Sequence, residues 1–256
     1  MRFMFKRIVA LLCVAVMLLS FAGCKGENKF AGRFVAGAAL SVNPVDSVIA
    51  KEVAAKYEMT TITSFAGKDY KTFEYNGKKV LARIEISGNV RILYEYPLDT
   101  EIVYDMEATK RSGGYLYFTK RDKGAPYASL CSIYIASASP IQNVIADTPC
   151  SNIVLLDTKP SSDKYAYGVI ACADKIMVLN LANGSSVDYT PDNIKLFLDM
   201  GDKFFGTTED GGYVETKLEP LDKDHIMVNI IEKDKAEETV NEWNFTFNPA
   251  NGVASN

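Results

Sequence analysis

The pattern of hydrophobic and polar positions divides the chain into three parts. Ile8 to Leu19 reads IVALLCVAVMLL, with no charged or strongly polar side chain. Farther on, Val45, Val48, Ile49, Val53 and Tyr57 recur at helical spacing, with Lys51, Glu52 and Lys56 between them. Asn43 suits a helix N-cap, Pro44 the first helical position and Asp46 the first turn. A helix is therefore predicted over about 44–57, its apolar face docked on the rest of the domain. From Met59 onward the pattern becomes short aromatic and β-branched runs separated by turn residues, which predicts strands.

The strands read as hairpins. KTFEYNGKKVLARIEI should fold back at Asn76-Gly77, a pair suited to a tight primed turn. IEISGNVRILYEY should turn at Ser87-Gly88-Asn89. Further turns are predicted at Ser112-Gly113-Gly114, Asn183-Gly184 and Asp210-Gly211-Gly212. Near the end, Val240 to Phe247 alternates, with Trp243, Phe245 and Phe247 on one face, as a half-buried strand does. The reading is one all-β domain of antiparallel units over 43–256, with a single N-terminal helix.

Three segments open alike: Ile102-Val103-Tyr104-Asp105, Ile153 to Asp157 and Ile194 to Asp199, at offsets of 51 and 41 residues. Met59 to Pro97 makes an earlier unit of similar size. A period of about 40–50 residues per four-stranded unit is that of propeller blades. In this respect the chain resembles a divergent β-propeller, without Gly-His or Trp-Asp signatures; Trp243 is its only tryptophan. The resemblance implies that four units close a ring, with the strand at 240–247 joining the first unit. A β-sandwich or a stack of antiparallel sheets would give the same strand spacing.

The uncharged segment follows a cationic head, Met1-Arg2-Phe3-Met4-Phe5-Lys6-Arg7. From Ile8 to Gly23 it is 16 residues long, short of the roughly 20 that a spanning helix needs. That order is that of a secretory signal peptide over 1–23. Phe21-Ala22-Gly23-Cys24 resembles the lipobox of bacterial lipoproteins, with Phe21 where Leu is usual. The resemblance implies cleavage before Cys24 and acylation of its thiol. The protein would then be exported and held at the cell membrane or outer membrane through the lipid on Cys24. Lys25 in place of Asp leans toward the outer membrane in an organism that has one. The other reading is an ordinary signal peptide with a chance cysteine. Residues 24–42, polar and glycine-rich from Lys25 to Gly37, read as a flexible tether.

Composition narrows the partners. Of 28 Lys and Arg, three lie in the leader, so the remainder carries 25 against 32 acids, a net charge of −7. No basic stripe is present, which argues against nucleic acid and against electrostatic attachment to anionic lipid. Beyond Cys24 there remain Cys131, Cys150 and Cys172. Three is odd, so at least one is unpaired within the chain. Cys131 shares a strand face with Ile133 and Ile135 and reads as a buried small hydrophobe; a bond between two of the three is left open.

Little in the sequence nominates chemistry. His225 is the only histidine, which removes two- and three-histidine metal sites within one chain. It stands beside Asp222 and Asp224 at the head of an apolar run, as a strand-edge histidine near two acids. Those two acids read as solvated turn residues rather than calcium ligands, and so does Glu209-Asp210. There is no P-loop, no GxGxxG after a strand and no GxSxG. No catalytic residue, metal site or cofactor is therefore named. Tyr94 and Tyr96, Tyr115 and Tyr117, and Tyr165 and Tyr167 each lie two apart and share a strand face. They read either as an outward recognition surface for an envelope protein or glycan or as packing in the core. Propeller-bearing lipoproteins often serve as envelope assembly scaffolds, and the resemblance implies such a role. The expectation is a non-enzymatic binding or scaffold domain. The alternatives are an exported carboxylate-dependent, carbohydrate-active hydrolase and a solute-binding lipoprotein.

Overall fold

The computed structural model describes residues 40–42, 45, 47–125, 127–151, 153–156, 167–194 and 204–255. The chain divides into Met1–Gly32 and Arg33–Asn256, and every element described belongs to the second unit. The leader, Cys24, most of the tether, Asp157 and Tyr165 lie outside the described residues. Among the described residues no helix is long and apolar enough to cross a membrane.

Strands dominate, as the alternating runs require. Two short strands come first, β1 (Leu40–Val42) and β2 (Ser47–Ile49), then a four-residue helix α1 (Lys51–Ala54). Sheet I is the meander β3 (Thr60–Phe65), β4 (Lys68–Tyr75), β5 (Lys78–Ile84), β6 (Val90–Pro97), with β2 added beside β6. Sheet II is β7 (Glu101–Asp105), β8 (Tyr115–Arg121), β9 (Ala128–Tyr134), β10 (Gln142–Cys150), with β1 added beside β10. A short helix α2 (Met106–Lys110) follows β7, capped by Asp105, which accepts the Ala108 N–H at 2.8 Å. Sheet III is β11 (Val154–Leu156), β12 (Tyr167–Ala171), β13 (Ile176–Asn180), β14 (Ser186–Tyr189). After the short helix α3 (Pro191–Ile194), sheet IV is β15 (Gly206–Thr207), β16 (Tyr213–Pro220), β17 (Ile226–Lys233), β18 (Thr239–Asn248), β19 (Val253–Ser255). All pairings are antiparallel.

Local chemistry explains the turns. Asn76 and Gly77 have φ of 50° and 74°, and Tyr75 pairs with Lys78, so β4 and β5 meet through a two-residue primed turn. Ala66 and Gly67 repeat it between β3 and β4, with alanine where asparagine is usual.

The helix expected over 44–57 is corrected. Among the described residues of that stretch, 47–49 are a strand and Lys51–Ala54 alone is helical. The free edge of β6 offers backbone partners to this segment, pairing Ser47 with Ile92 and Ile49 with Val90, while α1 has no side-chain N-cap bond. The docking expectation holds: Val45, Ile49, Ala54 and Tyr57 pack on Phe73, Val80, Ala82 and Ile92 of sheet I.

The sheets pack face to face in chain order. Tyr70, Leu81 and Leu93 of sheet I meet Leu116, Phe118, Cys131 and Ile133 of sheet II. Tyr117, Leu130, Ile145 and Cys150 of sheet II meet Ile170, Met177 and Leu179 of sheet III. Three buried tyrosine hydroxyls each cross one interface. Tyr70 donates to the Ile135 carbonyl at 2.9 Å, Tyr117 to that of Leu181 at 2.7 Å, and Tyr189 to that of Pro249 at 3.0 Å. The first two are equivalent: a tyrosine on a second strand reaches the carbonyl just past the third strand of the next sheet. Arg83 adds a clamp between sheets I and II. It is 2% exposed, donates to the Ser137 and Ala138 carbonyls at 3.0 and 3.2 Å, and reaches Glu85 Oε1 at 2.7 Å. Partial burial pushes the Glu85 carboxyl up. The Arg83 hydrogen bond and charge, with Lys68 and Arg91, outweigh it and hold that carboxyl below its ordinary value.

Sheets II and IV also meet at one point: Tyr127, just before β9, packs edge-on against Phe205, just before β15, with ring centroids 4.6 Å apart. The repeat openings at Ile102 and Ile153 fall at the starts of sheets II and III. The third does not: Ile194 ends α3, residues 195–200 lie outside the described residues, and sheet IV starts at Gly206. Ring closure through the strand at 240–247 is also corrected. β18 pairs with β17 and β19 of its own sheet, because Gly252 turns the chain back so that β19 occupies the far edge.

Candidate functional site

Sheets I and II pack closely along only part of their facing surfaces. On β4 the face that sends Tyr70 into the core also carries Thr72 and Glu74, by two-residue alternation; on β5 the face of Leu81 carries Lys79. These polar continuations meet Glu101, Ile102 and Tyr104 of β7, and the sheets part into a cleft of about 770 Å³. It is lined by Tyr96 of β6, Thr60 and Ile62 of β3, and Lys56 to Glu58 after α1. The volume falls within the usual range for small-ligand sites.

The base of the cleft is a cluster of hydroxyls. Thr72 Oγ1 and Tyr96 Oη are 3.3 Å apart. Tyr104 Oη is buried beside them and interacts with both the Tyr96 and Thr72 hydroxyls. Burial, reinforced by Tyr96, pushes the Tyr104 hydroxyl far above its ordinary value, so it stays neutral at physiological pH. The rim carries both signs, with Lys56 and Lys79 against the exposed Glu58, Glu74 and Glu101, and Glu101 is paired with Arg121. Away from this cleft, Glu85, Glu107 and Asp210 are held below their ordinary values. The Lys110 hydrogen bond lowers Glu107, and the Thr208 hydrogen bond lowers Asp210. The arrangement suits hydrogen bonding and stacking to a hydroxyl-bearing ligand.

The tyrosines named from sequence are placed mostly inside. Tyr96, Tyr117 and Tyr167 are buried, so of the two readings these three take packing in the core rather than an outward surface. Each falls on a face covered by a neighbouring sheet or by the chain, so packing takes the ring. Tyr94 is half-buried, 5.6 Å from both Tyr96 and Phe118 between ring centroids. Tyr115 is half-buried against Tyr134 at 4.8 Å. Of the six, only Tyr96 enters the cleft, and Tyr165 lies outside the described residues. Tyr104 and Thr72 carried no local signal, because β4, β6 and β7 come together only through the packing of two sheets.

Cys131, Cys150 and Cys172 are buried thiols. Cys131 packs with Ile133 and Ile135, as its strand face predicts. His225 sits at the head of β17, with Nδ1 3.0 Å from both Asp222 oxygens, which tie it into the turn. Asp210 likewise closes its own turn, accepting from Thr208 Oγ1 at 2.5 Å. Cys24 lies outside the described residues. No protein-family model, curated protein or solved structure matches this chain.

Proposed function

We propose that this chain is an exported, lipid-anchored cell-envelope protein whose domain of four antiparallel sheets works by binding rather than by catalysis. The observation that carries the proposal is Phe21-Ala22-Gly23-Cys24 closing an uncharged segment behind three basic residues. Two or three acyl chains on Cys24, each buried CH₂ contributing about 0.8 kcal/mol, would hold the protein at a membrane surface without embedding it. The cleft between sheets I and II is the contact site, and its hydroxyls, aromatic rings and mixed charge suit a glycan.

Mass analysis of the mature N-terminus tests the anchor. The expected first residue is an acylated Cys24, and Cys24→Ser should abolish both acylation and partition into detergent. An unmodified thiol or a different start removes the anchor. Binding to a panel of envelope glycans tests the cleft. Tyr104→Ala should weaken binding by roughly tenfold, the equivalent of one hydrogen bond. Cleavage of a bound glycan, with products accumulating, would replace this reading with the hydrolase.

A further inference from the structure

From the register of two strands, we propose that Cys150 and Cys172 are a disulfide pair and that Cys131 remains a free thiol. Cys150 ends β10 and Cys172 follows β12, and the two stand directly opposite in an antiparallel bridge joining sheets II and III. The Ser151 N–H donates to the Ala171 carbonyl at 2.8 Å, while the Cys172 N–H goes to Lys175 instead. Cys150 and Cys172 are therefore a non-hydrogen-bonded pair, the closer of the two antiparallel spacings, with Cα atoms about 4.5 Å apart. That lies within the range a disulfide spans, about 4.4–6.8 Å. Both side chains belong to the core cluster between sheets II and III. Cys131 projects from β9 into the cluster on the opposite side of sheet II. The face of the sheet thus chooses one pairing out of three.

The chemistry is thiol–disulfide exchange with a small-molecule or protein disulfide as oxidant. One cysteine thiolate attacks the oxidant's S–S bond, forming a mixed disulfide and releasing the first oxidant thiol. The other cysteine thiolate attacks the mixed disulfide, closing the Cys150–Cys172 bond and releasing the second. The two protons lost from the cysteines end on the released thiols. Closure exchanges the weak contact that Cys150 Sγ makes to the Ala128 carbonyl at 3.4 Å for a covalent link. Burial pushes both thiols up to about 12, so the folded pair exchanges slowly. The bond therefore forms while the chain folds, and is then shielded from reductants.

The test is peptide mapping of the protein expressed from the whole chain, denatured and alkylated with and without prior reduction. The expected result is one linked peptide pair, lighter by two hydrogens than its reduced members, with Cys131 alkylated in both arms. Cys172→Ser should lose the linked pair and Cys131→Ser should keep it. The same protein is also reduced, unfolded and refolded with glutathione disulfide. A bond formed on refolding but missing from the cell-derived protein supports the pairing and counts against export. Three alkylated thiols in every arm, or a bond to Cys131, overturns the pairing whatever the location.

Discussion

Replacing Tyr117 by phenylalanine removes one oxygen from the interface between sheets II and III. The side chain is 0% exposed, and its hydroxyl donates to the Leu181 carbonyl at 2.7 Å. Phenylalanine keeps the ring and its packing, so no cavity larger than an oxygen opens. What is lost is one hydrogen bond, and a carbonyl on a fully buried leucine loses its donor. A net bond of about 1 kcal/mol together with part of that desolvation cost gives a loss of about 2 kcal/mol. In a domain of this size, 1 kcal/mol shifts Tm by about 2–4 °C, so Tm should fall by about 4–8 °C. The assay is urea unfolding at neutral pH, followed both by far-ultraviolet circular dichroism and by Trp243 fluorescence. Trp243 sits in β18 and reports only sheet IV, so coincident transitions also test whether the four sheets unfold together. Tyr70→Phe makes the same cut between sheets I and II. The two hydroxyls share no partner, so the double variant should lose the sum to within about 0.5 kcal/mol. A Tyr117→Phe protein within about 0.5 kcal/mol of the parent would refute the reasoning and leave apolar contact alone holding the sheets.

Tyr104→Phe takes one oxygen out of the hydroxyl cluster with Tyr96 and Thr72; thermal unfolding should show a loss of no more than about 1 kcal/mol, while a ligand titration shows weaker binding in the cleft. Arg83→Leu strips both the Ser137 and Ala138 carbonyls and Glu85 of a buried guanidinium; calorimetry should record a loss of about 3 kcal/mol, and a neutral result would make the clamp incidental. Alkaline pH should weaken the fold. In the reduced protein burial pushes Cys131 to about 11, and Cys150 and Cys172 to about 12, from 9.0. Tyr70, Tyr94, Tyr104, Tyr115, Tyr117 and Tyr127 are raised above 10.0 by the same cause. The unfolded chain releases these protons first, so their contribution is fully present below about pH 9 and is lost as pH rises through the folded values. Urea midpoints at pH 7, 9 and 10.5 should fall in that order, and a flat series would contradict the burial of these groups.

The sequence alone determined the strands and their tight turns, because both are local. Alternation marks a face with two-residue period, and Asn76-Gly77 takes positive φ at both positions without help from the rest of the fold. Alternation also put Cys131 with Ile133 and Ile135 on a buried face. It could not settle 44–57, where the same valines and isoleucine fit either a helix or an edge strand; the open edge of β6, supplied by residues 90–92, decided for β2. Nor could it tell which tyrosines face water. Tyr115 and Tyr117 look alike in sequence, and only the arrival of Leu181 from the next sheet makes Tyr117 a fastening. The cleft and the Cys150–Cys172 pairing belong to the same class. Thr72, Tyr96 and Tyr104, and the two cysteines, are far apart along the chain, and only the register between strands and the packing of one sheet on the next brings them together.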